Sequence, residues 1–168
     1  MLIVLAGLPG VGKTTIAREL ARRLNAVLLR IDSIELAIRD SGATAISLDD
    51  AGYRVGYAVA EDNLRLRQIV IADSVNPLPV TRDAWLQAAD RVEAPAVEIE
   101  IVCSDREEHR RRVEQRLQEL PTSTGPTWEE VLSRDYRPWD RQHVVIDTAG
   151  QTVDRCVAMV WAALLTAS

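Results

Sequence analysis

Leu2-Ile3-Val4-Leu5-Ala6-Gly7-Leu8-Pro9-Gly10-Val11-Gly12-Lys13-Thr14 is the stretch from which the architecture of this chain can be read. Leu2 to Ala6 is apolar without alternation, the pattern of a strand buried on both faces. Gly7 to Thr14 matches G-x-x-x-x-G-K-[ST] at every fixed position. Glycines let backbone N–H groups turn inward around an anion without Cβ clashes. The residues after Lys13 place Ile16, Ala17, Leu20, Ala21 and Leu24 at helical spacing, so a helix aims its positive end at the same anion. Strand, loop and helix are all present, which a glycine-rich turn with an accidental Gly-Lys-Thr would not require.

Composition strengthens this reading. Lys13 is the only lysine among 20 basic residues; all the others are arginine. A compact ammonium on a flexible stem can reach between phosphates where a planar guanidinium does not fit. At 168 residues, 47% hydrophobic and 27% charged, the chain is expected to be one globular domain over 1–168. A net charge of -5 argues against a dedicated nucleic-acid groove. No apolar run approaches the roughly 20 residues of a membrane span. Cys103 and Cys156 lack metal-ligand spacing and read as free thiols, which fits a cytoplasmic location.

Outward from the loop, apolar runs alternate with helical patterns. Strands are expected at 26–31, 68–72, 96–103 and 143–147. Helices are expected at 33–40, 49–67, 81–92, 105–120, 128–134 and 153–165. This alternation gives an α/β fold: a parallel sheet with helices on both faces, binding its ligand at the carboxyl ends of the strands. Gly7, Asp32, Asp73, Ser104 and Thr148 each follow an expected strand and should line one rim. Residues 117–140, rich in proline and tryptophan, are expected to form a small lid.

Each rim residue has a chemical reading and a plainer one. Lys13 would reach the β- and γ-phosphates of a nucleoside triphosphate, and the Thr14 hydroxyl would ligate Mg²⁺. Asp73, ending Ile69-Val70-Ile71-Ala72, either helps hold the same ion or caps a helix. Asp32 is either the base that takes a proton from an acceptor hydroxyl or the N-cap of the helix that follows it. Arg106, Arg110, Arg111, Arg112 and Arg116 crowd one charged helix, laced with Glu107, Glu108, Glu114 and Glu119 into a solvated face. Arg112 and Arg116, four residues apart, are the candidates for closing over a γ-phosphate. Arg39, Arg54 and Arg82 hint at an acidic acceptor or pair with neighbouring aspartates. His109 and His143 read as surface or structural residues.

Asp147-Thr148-Ala149-Gly150-Gln151 matches a GTPase switch segment but lies on the last expected strand. No N-K-x-D motif accompanies it, so it reads as a strand end and turn.

Together, Gly7 to Thr14, Asp32, Ile69 to Asp73 and Arg112-x-x-x-Arg116 resemble the P-loop kinases of the AAA_33 or predicted-kinase type. These are relatives of gluconate kinase, shikimate kinase, chloramphenicol phosphotransferase, zeta toxins and the kinase domain of polynucleotide kinase. The resemblance implies a three-layer P-loop NTPase fold with a five-stranded parallel sheet of order 2-3-1-4-5. It also implies ATP and Mg²⁺ as cofactors and phosphoryl transfer to a hydroxyl of a small-molecule acceptor. Gly7, Leu8, Pro9, Gly10, Val11, Gly12, Lys13, Thr14 and Thr15 would contact the nucleotide, and Thr14 and Asp73 the metal. Asp32, Lys13, Arg112 and Arg116 would be catalytic, and Arg39 and Arg82 fall where relatives hold the acceptor. A polynucleotide 5′-kinase and a nucleotide-binding regulatory protein with little chemistry are the alternatives.

Overall fold

The computed structural model describes residues 1–42, 48–119 and 125–166. The strands are β1 (Leu2–Ala6), β2 (Val27–Arg30), β3 (Val70–Asp73), β4 (Ala96–Val102) and β5 (Val144–Asp147). The helices are α1 (Lys13–Leu24), α2 (Ile31–Asp40), α3 (Leu48–Arg65), α4 (Pro79–Asp90), α5 (Arg106–Glu119), α6 (Trp128–Ser133) and α7 (Val153–Thr166). All strand pairings are parallel, in the order β2-β3-β1-β4-β5. The expected sheet order is therefore the observed one.

The unbroken apolar run of β1 has its explanation in this order. The strand is central, and Leu2 to Ala6 are all fully buried. Ile3 and Leu5 face a core shared with Ile16, Ala17 and Leu20 of α1 and Cys156, Val157 and Val160 of α7. Leu2 and Val4 face the opposite core, with Ala60 and Leu64 of α3 and Trp85 and Ala89 of α4. Each such leucine, isoleucine or valine contributes about 1.5–3 kcal/mol by burial. Two helical layers thus clamp the sheet and fix its rim.

Local chemistry sets the helix limits. α1 ends where Asn25 takes a left-handed conformation (φ 50°) and returns its N–H to the Ala21 carbonyl, with Arg22 and Arg23 in the last turn. α6 opens on a reciprocal capping box between Thr127 and Glu130. Two starts differ from expectation. Pro79 opens α4 at its first turn, where a missing N–H costs nothing, instead of Thr81. α2 begins at Ile31, directly after β2, so Asp32 lies inside the first helical turn, two residues past the end of the strand.

The segment expected as a lid, 117–140, makes contacts with the sheet at its C-terminal end. Residues 120–124 lie outside the described residues, but 134–143 are tied down. Alternation along β4 turns Glu98 and Glu100 away from the face that carries Val97, Ile99 and Ile101. Glu98 takes a bidentate pair from Arg141, at 2.6 and 2.8 Å. Glu100 accepts from the Tyr136 hydroxyl at 2.8 Å and pairs with His143 Nε2 at 3.1 Å. The Arg137 N–H also donates to the Pro77 carbonyl at 2.9 Å.

Candidate active site

The loop between β1 and α1 needs its glycines for definite reasons. Gly7 sits at φ 139°, and a Cβ there would lie 2.2 Å from the Ile101 carbonyl oxygen of β4. Gly10 sits at φ 87°, with its Cα side pressed against Val113 of α5. Lys13 is buried and its Nζ donates to the Leu8 carbonyl at 2.8 Å, folding the ammonium back over the loop. Burial pulls its pKa down to about 8. The charges of Asp73 and Asp32 oppose that shift, while Arg116 and Arg134 add to it.

Parallel register sets Asp73 beside Leu5 of β1 and beside Arg30 of β2. Its buried carboxylate accepts from the Thr14 hydroxyl at 2.7 Å and from Arg30 Nε at 3.3 Å. Helix capping does not explain Asp73, because Leu78 occupies the N-cap of α4. Thr14 and Asp73 offer two hard oxygen donors on adjacent elements, suited to a Mg²⁺ that keeps most of its other ligands as water and phosphate oxygens. Among the described residues no group of three or more His, Cys, Asp or Glu gathers into a denser metal site.

Asp32 is exposed in the first turn of α2, within electrostatic reach of Lys13. The N-cap is Arg30, and no side chain caps this helix, so the capping role weighed for Asp32 is not taken up. Glu35 lies one turn further along the same helix. Burial raises its pKa, the Asp32 charge adds to the rise, and Arg39 and Arg134 oppose it. Arg39 is exposed in the last turn of α2. Residues 43–47, between α2 and α3, lie outside the described residues. Arg54 is exposed on α3.

The arginines separate. Arg116 lines a narrow cleft with Pro9, Gly10, Val113 and Pro126, beside the loop. Arg112 turns instead to the end of β5. It donates to the Thr148 hydroxyl at 2.8 Å and the Thr148 carbonyl at 3.1 Å, and pairs with Glu108 at 2.5 Å. The same Thr148 hydroxyl lies 2.9 Å from the Val11 carbonyl, so Arg112 braces the loop through Thr148. Asp147 closes the turn by accepting the Ser104 and Ala149 N–H groups, each at 3.0 Å.

Arg82 is fully buried, and its guanidinium donates to the carbonyls of Asn76, Pro77, Arg137 and Pro138 at 2.7–3.2 Å. Its carbon lies 4.2 Å from the Trp139 ring centroid and 5.3 Å from that of Tyr136. With four N–H groups on main-chain carbonyls, Arg82 clamps these segments together.

Sequence reasoning passed over Glu35 and Arg134 as site residues and read His109 as a surface or structural residue. Glu35 could have been found from its i, i+3 spacing to Asp32. Arg134 carries no local signal, because only the packing of α6 brings it near Lys13. His109 is buried, with Nε2 2.7 Å from the Pro9 carbonyl oxygen.

Residues 2–134 match the AAA_33 family, described as an AAA domain. Among solved structures, the chain is similar to a gluconokinase from Sinorhizobium meliloti 1021 (TM-score 0.68, 17% identity, covering 98% of this chain and 91% of that one). It is also similar to the Mycobacterium tuberculosis APS kinase CysC in complex with AMPPNP and APS (TM-score 0.72, 16% identity, covering 97% and 96%). A third is Chaetomium thermophilum Kti12 in complex with ADP-AlF3 (TM-score 0.61, 23% identity, covering 97% and 98%). At these identities the likeness is one of fold. A search of curated proteins finds no match.

Proposed function

Since the chain belongs to the AAA_33 family of P-loop kinase-like proteins, we propose that it is a kinase that transfers the γ-phosphoryl group of ATP to a hydroxyl of a small molecule. The observation that carries this reading is the contact of Thr14 with Asp73 at 2.7 Å, beside buried Lys13, with Asp32 on the same rim. A chain that only held a nucleotide would need the loop but not a carboxylate on the acceptor side.

The chemistry follows from charge. The incoming triphosphate draws the Lys13 ammonium off the Leu8 carbonyl onto the β- and γ-phosphates. Thr14 and Asp73 would hold Mg²⁺, which would supply neutralisation of the phosphate charge. Arg116, lining the cleft beside Pro9 and Gly10, adds positive charge where the transition state spreads negative charge over the γ-oxygens. Asp32 accepts the proton of the attacking hydroxyl, and Arg39 and Glu35 border the acceptor. Arg112 acts from the far end, holding Thr148 against the loop.

The test is incubation of the protein with ATP, Mg²⁺ and a metabolite extract, with mass spectrometry for any species that gains one phosphoryl group. A phosphorylated small molecule is the expected result. Product only on oligonucleotide 5′ ends would assign a polynucleotide kinase. Tight ATP binding with no product would assign a regulatory protein.

A further inference from the structure

His109 has the geometry of a working part of the nucleotide site. It lies on α5, 6% exposed, with Nε2 2.7 Å from the Pro9 carbonyl oxygen. A carbonyl can only accept, so Nε2 carries the hydrogen. The ring is held from behind by Trp128 of α6, edge to face, with centroids 5.1 Å apart at 84°. It also flanks Gly10, where an added Cβ would meet Val113 Cγ2 at 2.5 Å and His109 Cδ2 at 3.3 Å.

Peptide planarity turns this contact into a statement about the anion site. In the trans peptide between Pro9 and Gly10, the carbonyl and the N–H point to opposite edges. Anchoring the Pro9 oxygen to α5 therefore directs the Gly10 N–H away from α5. The neighbouring carbonyl, that of Leu8, already accepts from Lys13. That contact is given up when Lys13 turns to the phosphates, whereas the hold of His109 on the Pro9 carbonyl can stay in place. A loop of this kind binds phosphate only when its carbonyls face away from the anion and its N–H groups face it.

We propose that His109 is a positioning residue of the nucleotide site: its Nε2–H holds the Pro9 carbonyl outward and so presets the Gly10 N–H for the triphosphate. The proposal rests on nucleotide binding at this loop and is independent of the acceptor. Since α6 packs on the same ring, the side chain also connects the loop to α6.

The test uses the full chain, its His109→Phe and His109→Gln variants, and a non-hydrolysable ATP analogue titrated by calorimetry. Phenylalanine keeps the ring against Trp128 and loses the donor; glutamine keeps a donor near the Nε2 position. The loss of one hydrogen bond should weaken binding about five- to tenfold in the phenylalanine variant. Glutamine should recover most of that loss, and both unliganded variants should melt close to the wild type. Wild-type affinity in the phenylalanine variant would overturn the proposal, as would equal weakening in two folded variants. A wild-type chain that binds no nucleotide would remove the underlying reading instead. Should a variant not fold, imidazole ¹⁵N shifts of the wild type decide: protonated Nε2 is expected, and a bare Nε2 would overturn the proposal.

Discussion

Thr14 and Asp73 are 59 positions apart in sequence, yet the Thr14 hydroxyl donates to the Asp73 carboxylate at 2.7 Å. The contact follows from strand order. β1 and β3 are neighbours, so the first turn of the helix after β1 and the last residue of β3 meet at the same rim. Asp73 also takes Arg30 from β2, on its other side. The carboxylate is therefore held on two sides before any ligand arrives, which keeps the cost of organising the site low.

Asp73→Asn should lower Mg²⁺-dependent transfer on the order of 10- to 100-fold, because an amide is a weaker ligand and leaves Arg30 without its ion partner. The measurement is transfer rate against Mg²⁺ concentration. The half-saturating Mg²⁺ concentration should rise in the variant. An unchanged value would exclude Asp73 as a holder of the ion.

Lys13 predicts a pH dependence of binding whose sign is fixed. Burial has lowered its pKa to about 8 in the free protein. A bound triphosphate adds negative charge and raises that pKa, so the bound state holds more protons above about pH 8. Affinity should therefore be full below about 8 and should fall as pH rises beyond it. Calorimetry at about pH 8.5 in two buffers of different ionisation enthalpy should show proton uptake on binding. Proton release, or affinity that rises with pH, would contradict the assignment.

Arg82 should report on stability. It is fully buried and makes four hydrogen bonds to main-chain carbonyls that join the Asn76–Pro77 turn to Arg137 and Pro138. Lysine offers a compact head that cannot span them. Arg82→Lys should cost about 3 kcal/mol, measured by denaturant unfolding, with nucleotide affinity little changed in the folded fraction. Unaltered stability would contradict the clamp.

Much of this architecture was legible because it depends on local pattern. The apolar run of β1, the glycine loop and the α1 stripe announce themselves within the first 24 residues, and alternation of strands and helices gave the parallel sheet. What escaped depends on contacts distant in sequence. Arg82 reads as a free cation until Trp139 and the Pro138 carbonyl are folded against it. Arg112 and Arg116 share a helix face in sequence, yet Thr148 captures one and leaves the other beside the loop. His109 looks incidental in a charged helix, because nothing local shows that Pro9 lies 2.7 Å away. For Asp32 the sequence leaves base and cap both open, because only the fold shows that no side chain caps α2 and that the carboxylate is exposed.

That exposure makes Asp32 the sharpest test of the proposed chemistry. Asp32→Asn is nearly isosteric, removes no cap and breaks no contact that holds the loop. Removing its negative charge takes away one of the two charges that favour protonated Lys13, so a small change in nucleotide affinity is expected, within about twofold. Transfer is a different matter, because an amide cannot accept the hydroxyl proton. Loss of a positioned base should lower kcat on the order of 10²- to 10⁴-fold. Single-turnover transfer and analogue binding, measured on the same preparation, separate the two effects. A variant that binds and transfers like the wild type would remove Asp32 from the mechanism and leave deprotonation of the acceptor to the γ-phosphate itself.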